Sequence, residues 1–557
     1  MSAPPVIADL HTPLTRSHWQ PQRHRPVPAI SIGDLLRAAA QQRPDGLALL
    51  DATVVGAEPR SWTFAELLEH SMDQARWLST FLEPGENVAL WSDNRAEWIL
   101  GAYGAALAGL TVVTVNPALG PEETAHIVRT SGAAALLVGP PYRGRDLRAI
   151  AERLVGELST LRIVSGLVAT AESPRASGDE MPPVAGDALA QIQFTSGSTG
   201  RPKAAMIAHS PICAISEWVM AGMGIGPGDV YVNPSPLFHT GGGVIGSLGP
   251  LAVGATQVLA APEPSHLLAM IERYAAAGMT AVPTVLMRML DELDVAPRDV
   301  SSMRVLLTGS MSVPELLVDR AEARFTCSVV VGYGMTELSS NFTLGVPTDP
   351  LELRRRTVGR VLPQMEGMIA DLGDRLAAPI GVEGEICARG FAVTPGYVGD
   401  PDATARLVDA DGWLRTGDLG RMDAQGYIEV TGRMSDLIIR GGENIYPREV
   451  EAAVLSTGAG CFSAAYVVGV PDGSFGEVPV VAVVPVPGST AEGQAHARRA
   501  LATTLARYKQ PAQWYLLERP PLRDTSKVDK GAIRAMILDG SLPELLDQHA
   551  EPLRGNG

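Results

Sequence analysis

The stretch Thr195-Ser196-Gly197-Ser198-Thr199-Gly200-Arg201-Pro202-Lys203 carries the residue types needed to hold a polyphosphate. Its glycines let backbone N–H groups turn toward an anion without side-chain clash. Its hydroxyls supply short-range donors, and Lys203 adds a point charge at the end of the loop. A Walker A loop has Gly directly before its Lys and Ser or Thr directly after. Here Pro202 precedes Lys203 and Ala204 follows, which excludes a P-loop kinase or GTPase. Taken alone, a Gly/Ser/Thr loop also reads as a surface turn, so its meaning depends on the elements around it. The residues that follow, 204–208, fit strand or helix by pattern.

Those elements alternate. Amphipathic helical patterns at 64–82 and 96–108 are interleaved with β-branched runs at Asn87–Trp91 and 112–115. Alternation of this kind predicts layered α/β architecture with parallel sheets. A Gly/Pro/Asp-rich connection at 171–187 precedes the loop, and a second α/β stretch covers 205–335, with strands at 305–307 and 329–331. From 357 to 432 short strands and Gly turns predict a β-rich subdomain. A compact α+β tail follows, with helices at 447–455 and 491–505 and strands at 464–468 and 478–484. Residues 1–30, rich in Pro, Arg and His, read as an irregular, loosely held leader. The expected division is therefore a leader (1–30), a large N-terminal α/β domain (31–432) and a small C-terminal domain (433–557).

With 557 residues the chain is too long for one core. A formal charge of −16 argues against nucleic acid or an anionic membrane as main partner, so basic groups for a nucleotide must be concentrated locally. Cys213, Cys327, Cys387 and Cys461 lack metal-site or paired spacing and read as reduced thiols. The apolar run 101–115 is too short to span a bilayer and is broken by Gly104 and Gly109, so it reads as a buried helix leading into a strand. A cytoplasmic protein without an integral membrane segment is the expectation.

Further motifs follow the loop in order: Gly332-Tyr333-Gly334-Met335-Thr336-Glu337, Thr416-Gly417-Asp418, Gly432-Arg433 leading into Arg440-Gly441-Gly442-Glu443-Asn444-Ile445-Tyr446-Pro447, and Lys527 in Thr525-Ser526-Lys527. In this combination, from about residue 30 to about 540, the chain resembles the acyl-adenylate-forming ligases, most of all the acyl-CoA synthetases. The resemblance implies an ATP- and Mg²⁺-dependent acid–CoA ligase that forms an acyl-AMP intermediate and releases pyrophosphate and AMP. Within it Glu337 is the Mg²⁺ carboxylate, Thr336 an α-phosphate donor and Tyr333 a stacking face for adenine. Asp418 accepts the ribose hydroxyls, and Arg433 fits a ribose or phosphate contact. Lys527 bridges the attacking carboxylate and the α-phosphate, offsetting charge that builds in the transition state. Gly309, Ser310, Gly332, Gly334 and Met335 complete the nucleotide side.

On the acyl side, Phe238-His239 with Gly242 and Gly243, Val282-Pro283 and Met311 resemble pocket-lining strips, with His239 a gate. The glycines at 241–243 leave side-chain volume empty, which suits a sizeable acyl group. The resemblance further implies that the C-terminal domain rotates after adenylation, withdrawing Lys527 and bringing Arg440, Gly441, Gly442 and Glu443 to CoA. Two positions depart from the family: Ser435 stands where Asp or Lys is usual at the hinge, and Ser526 where Gly precedes the lysine. Either could unbalance the two half-reactions, so a half-reaction specialist, such as an acyl-AMP ligase loading a carrier protein, is the alternative. A non-catalytic nucleotide-binding scaffold is a third reading, and a monomer or homodimer is expected.

Overall fold

The computed structural model describes residues 6–7, 12–169, 181–195, 202–441, 443–522 and 528–545. Strands among these residues form four sheets. A six-stranded sheet has the order Ile163–Gly166, Ala135–Val138, Asn87–Trp91, Thr111–Val115, Leu189–Thr195, Lys203–Ala208. Its pairs are parallel except the last, an antiparallel hairpin in which Thr195 stands opposite Lys203. Residues 204–208 thus take the strand alternative, and the phosphate loop joins two paired strands.

A nine-stranded sheet has four adjacent parallel strands at its centre: Ser328–Met335, Val305–Gly309, Gly278–Thr280 and Val230–Asn233. Buried on both faces, they read as continuous apolar runs, with Val305, Leu306, Val329 and Val330 nearly inaccessible. Their carboxyl ends share one edge, the place where open α/β sheets bind ligands. The helix Ala96–Leu107 is buried at every residue but Glu97, which pairs with Arg60, and this burial explains why the rest of it is almost wholly apolar. It leads into the strand Thr111–Val115, as the run 101–115 predicts.

The β-rich region is an antiparallel sheet of His18–Trp19, Met365–Ala370, Gly384–Gly390, Leu414–Met422 and Ile428–Arg433. Its first strand corrects the reading of a loose leader. His18–Trp19 pairs with Met368 and Gly367, Trp19 is fully buried against Gly426, and Arg25 forms an ion pair with Glu217. The Pro-rich composition hid this because a two-residue strand has no readable period.

After Arg433 the chain makes a short turn, Met434–Asp436, and enters a different sheet at Ile438–Arg440. This last sheet contains the long hairpin of Phe462–Asp472 and Gly476–Pro485, each strand extending past its predicted limits. Helices Pro447–Thr457 and Ala491–Thr504 cover it, with Val450, Val454, Ala497 and Leu501 packed on Val467 and Val481. Among the described residues no helix is long and apolar enough to cross a membrane.

Candidate active site

Four strand ends converge on one edge of the nine-stranded sheet. Val230–Asn233 leads to Phe238 and His239, Gly278–Thr280 to Val282 and Pro283, Val305–Gly309 to Ser310 and Met311, and Ser328–Met335 to Thr336 and Glu337. Parallel register sets Gly309 beside Gly332, and a Cβ on Gly309 would stand 2.4 Å from the Gly332 carbonyl oxygen. Ser310, with φ 65°, holds a left-handed conformation that a β-substituted residue rarely takes. Such strain concentrates at ligand sites.

Glu337 is only 5% exposed, so its carboxylate is not a solvated loop acid. The Thr195 hydroxyl donates to its Oε1 at 3.0 Å, and the Tyr397 hydroxyl donates to the same atom at 2.8 Å. The phosphate-loop hairpin and the turn Thr336–Leu338 are therefore joined directly, although they belong to different sheets. The Lys203 Nζ lies over the Tyr397 ring, 5.2 Å from its centre. Burial and the Glu337 carboxylate both push the Tyr397 phenol upward, so it remains a donor. Ser196, Gly197, Ser198, Thr199 and Gly200 lie outside the described residues.

A second cluster gathers Tyr333, Asp418 and Arg433. The Tyr333 hydroxyl donates to Asp418 Oδ2 at 2.8 Å, and the Arg433 Nε lies 3.0 Å from Oδ1. Asp418 and Arg433 are cross-strand partners, so sheet register alone brings them face to face. Burial, then the neighbouring carboxylate, holds the Tyr333 phenol well above its ordinary value. Gly417 meets the positive φ of this turn at 71°, and Thr416 Oγ1 accepts from the Asp418 amide. Gly332, Gly334 and Met335 lie on the Tyr333 strand itself.

In the strip expected to line the acyl pocket, the Phe238 and His239 rings lie 4.6 Å apart, both half-buried. Val282 precedes the helix Pro283–Val295, which Pro283 opens. The glycines need a correction. A Cβ on Gly242 would stand 2.1 Å from the Pro236 carbonyl oxygen, and one on Gly243 2.5 Å from that of Leu237. These positions hold the helix Gly241–Leu248 tight against the Pro236–Leu237 backbone; only Gly241 borders open space. They provide close packing rather than acyl volume.

In the C-terminal part, Arg440 and Glu443 are partners across a hairpin in which Gly441 takes φ 58°. Arg440 donates to the Tyr508 carbonyl at 2.8 Å and lies 5.0 Å from the centre of the Phe475 ring. Gly442 and Lys527 lie outside the described residues. Sequence reading missed Tyr397 and Arg448. Arg448 donates to the Val430 carbonyl and to the Ser312 hydroxyl, both at 2.6 Å, tying the helix Pro447–Thr457 to the loop that follows Met311. Neither residue has a local signal, because the side-chain partners, Glu337 of Tyr397 and Ser312 of Arg448, lie 60 and 136 residues away in the chain.

This geometry agrees with what the chain is similar to. The model of the AMP-binding enzyme family matches residues 36–398, and that of the AMP-binding enzyme C-terminal domain matches 449–527. The (7a-methyl-1,5-dioxo-octahydro-1H-inden-4-yl)propanoyl:CoA ligase of Rhodococcus jostii is 34% identical over 498 residues, covering 85% of this chain and 93% of the relative. The mitochondrial medium-chain acyl-CoA ligase of Macaca fascicularis is 32% identical over 459 residues, covering 76% of this chain and 74% of the relative. The o-succinylbenzoate CoA synthetase of Bacillus subtilis, solved with its acyl-adenylate intermediate, superposes with a TM-score of 0.76 at 28% identity, covering 90% of this chain and 97% of that one. With motifs, sheet topology and matches over most of its length in agreement, the chain belongs to the AMP-binding enzyme family, as an acid–CoA ligase that works through an acyl adenylate.

Proposed function

We propose that the residues gathered above divide the work as follows. Tyr333 offers a flat face to adenine, and Asp418 with Arg433 receives the ribose. Lys203 and the loop before it take the phosphates, with Thr336 donating to the α-phosphate. Lys527, carried by the C-terminal domain, bridges the acid carboxylate and the α-phosphate, and His239 with Phe238 borders the carboxylate entry beside Val282 and Met311. After a domain rotation about Met434–Asp436, Arg440, Gly441, Gly442 and Glu443 take the place of Lys527 and receive CoA. The thiol then attacks the acyl carbonyl, AMP leaves, and the reaction needs mainly access and orientation. Acids of the kinds named for the relatives, a fused-ring propanoate and medium-chain acids, head the list to assay.

Glu337 suits Mg²⁺ by the chemistry of its donors. It is a buried carboxylate whose two hydrogen bonds among the described residues both fall on Oε1, with none there to Oε2. No group of three or more His, Cys, Asp or Glu side chains that could hold a metal occurs among the described residues. One carboxylate together with substrate phosphates is the arrangement Mg²⁺ commonly uses at nucleotide sites. When bound, the ion would neutralise phosphate charge.

The observation that carries this reading is the meeting of Glu337 and Thr195 from two sheets beside Lys203. Carboxylate-dependent ATP–pyrophosphate exchange tests it together with thioester formation from supplied acyl-AMP. Lys527→Ala should lower the exchange by at least about a hundredfold, on the scale of one lost electrostatic donor, while thioester formation largely persists. Equal losses in both steps would refute the division of labour.

A further inference from the structure

We propose that Tyr397 is a positioning residue that sets the Glu337 carboxylate for the cation and seats Lys203 beside it, a role resting on the assignment of Glu337 to Mg²⁺. Three observations carry it. Tyr397 is 7% exposed and its hydroxyl donates to Glu337 Oε1 at 2.8 Å, on the atom that also accepts from Thr195. Two donors on one oxygen fix the carboxylate plane and leave Oε2 as the oxygen with no described hydrogen bond. The ring of the same tyrosine carries the Lys203 Nζ on its face at 5.2 Å, within the range of a cation–π contact. One side chain thus touches both the carboxylate and the ammonium of the phosphate site.

The backbone around Tyr397 is built to hold it there. Thr394 donates its amide to the Glu337 carbonyl at 2.8 Å and its hydroxyl to the Met206 carbonyl at 2.7 Å. Met206 in turn donates to the Gly396 carbonyl, and Val398 to that of Ala204. The segment 394–398 therefore laces the strand after the phosphate loop to the turn that bears Glu337. Ser339 adds a further tie, its hydroxyl donating to the Ala392 carbonyl at 2.8 Å. A purely structural tyrosine would require none of this convergence, since its ring alone would fill the space. Hydrogen-bond partners that orient a metal ligand typically contribute about 10–100-fold in metal affinity.

The test uses the full-length protein with Mn²⁺ as a spectroscopic probe, its binding in the presence of ATP followed by electron paramagnetic resonance. Tyr397→Phe should weaken Mn²⁺ binding roughly tenfold or more, with metal-free ATP affinity changed less than about twofold and the melting temperature preserved. Thr195→Val should act in the same direction, and the double variant should lose less than the product of the two singles, because both donors serve one oxygen. Unchanged Mn²⁺ affinity in Tyr397→Phe would overturn the positioning role. Unchanged Mn²⁺ affinity in Glu337→Gln would instead overturn the metal assignment on which it rests. Loss of Mn²⁺ binding in Glu337→Gln but not in Tyr397→Phe leaves the metal assignment standing and removes Tyr397 from it.

Discussion

Asp418, proposed above to receive the ribose, is held by its neighbours before any sugar arrives. Both of its oxygens are already engaged, one by the Tyr333 hydroxyl and the other by the Arg433 guanidinium, so a ribose entering here meets an acceptor whose direction is set in advance. Asp418→Asn keeps the size and removes the charge that holds Arg433. The Michaelis constant for ATP should rise roughly tenfold, the scale of one hydrogen bond to a charged group. The effect should also shrink with 2′-deoxy-ATP, which lacks one of the hydroxyls to be received. An equal ATP penalty for both nucleotides would separate Asp418 from the sugar. The types and order of Tyr333, Asp418 and Arg433 were legible in the sequence. Their mutual bonding was not, because it depends on the register between Leu414–Met422 and Ile428–Arg433, which no local pattern specifies.

At the scale of elements, the helix Gly241–Leu248 and the helix His209–Gly222 make separable predictions. Gly242→Ala would drive a methyl group into the Pro236 carbonyl, and overpacking of this kind costs about 1–3 kcal/mol. The variant should unfold at lower denaturant than the wild type, whereas Gly241→Ala, which meets open space, should be close to neutral. His209 opens the second helix. Its Nδ1 accepts from the Ile32 amide at 3.3 Å, and its Nε2 is buried with no hydrogen-bond partner among the described residues. Burial pulls its pKa from 6.5 down to about 4, with the Asp34 charge acting the other way.

The sign follows from proton uptake. The unfolded chain binds a proton below pH 6.5 that the folded chain refuses until about pH 4, so stability falls as pH drops through that window. The loss approaches about 3 kcal/mol at the lower end. His209→Asn, which retains an acceptor, should flatten the difference between denaturation midpoints at pH 7 and pH 4.5. An unchanged pH profile would place the acid sensitivity elsewhere. Element identity was mostly legible here: the strands Asn87–Trp91 and Thr111–Val115 and the helix between them fall within a residue or so of the pattern. The misread glycines were not, since an empty Cβ position and one filled by a neighbouring backbone look alike in sequence.

Across the whole molecule, Arg448 is the clearest tie between the C-terminal part and the body, and burial pulls its guanidinium below its ordinary pKa while Glu451, Asp418 and Glu429 oppose the shift. Arg448→Ala removes the contacts to Ser312 and Val430 and should loosen the already exposed Met434–Asp436 turn. Limited proteolysis there should run roughly fivefold faster, the equivalent of about 1 kcal/mol of lost contact; an unchanged rate would show that other contacts hold the two parts together. Layered α/β architecture with a separate α+β tail was legible because helix and strand periods differ so strongly. The docked N-terminal segment was not, since its partners lie far down the chain. That distance bears on how the protein is made. Trp19 leaves the ribosome about 400 residues before Gly426, its covering surface, and at ordinary elongation rates the delay is roughly 20–80 s. For that interval the nascent chain carries an uncovered indole, and the β-rich layer cannot close until its first strand is retrieved from the opposite end of synthesis.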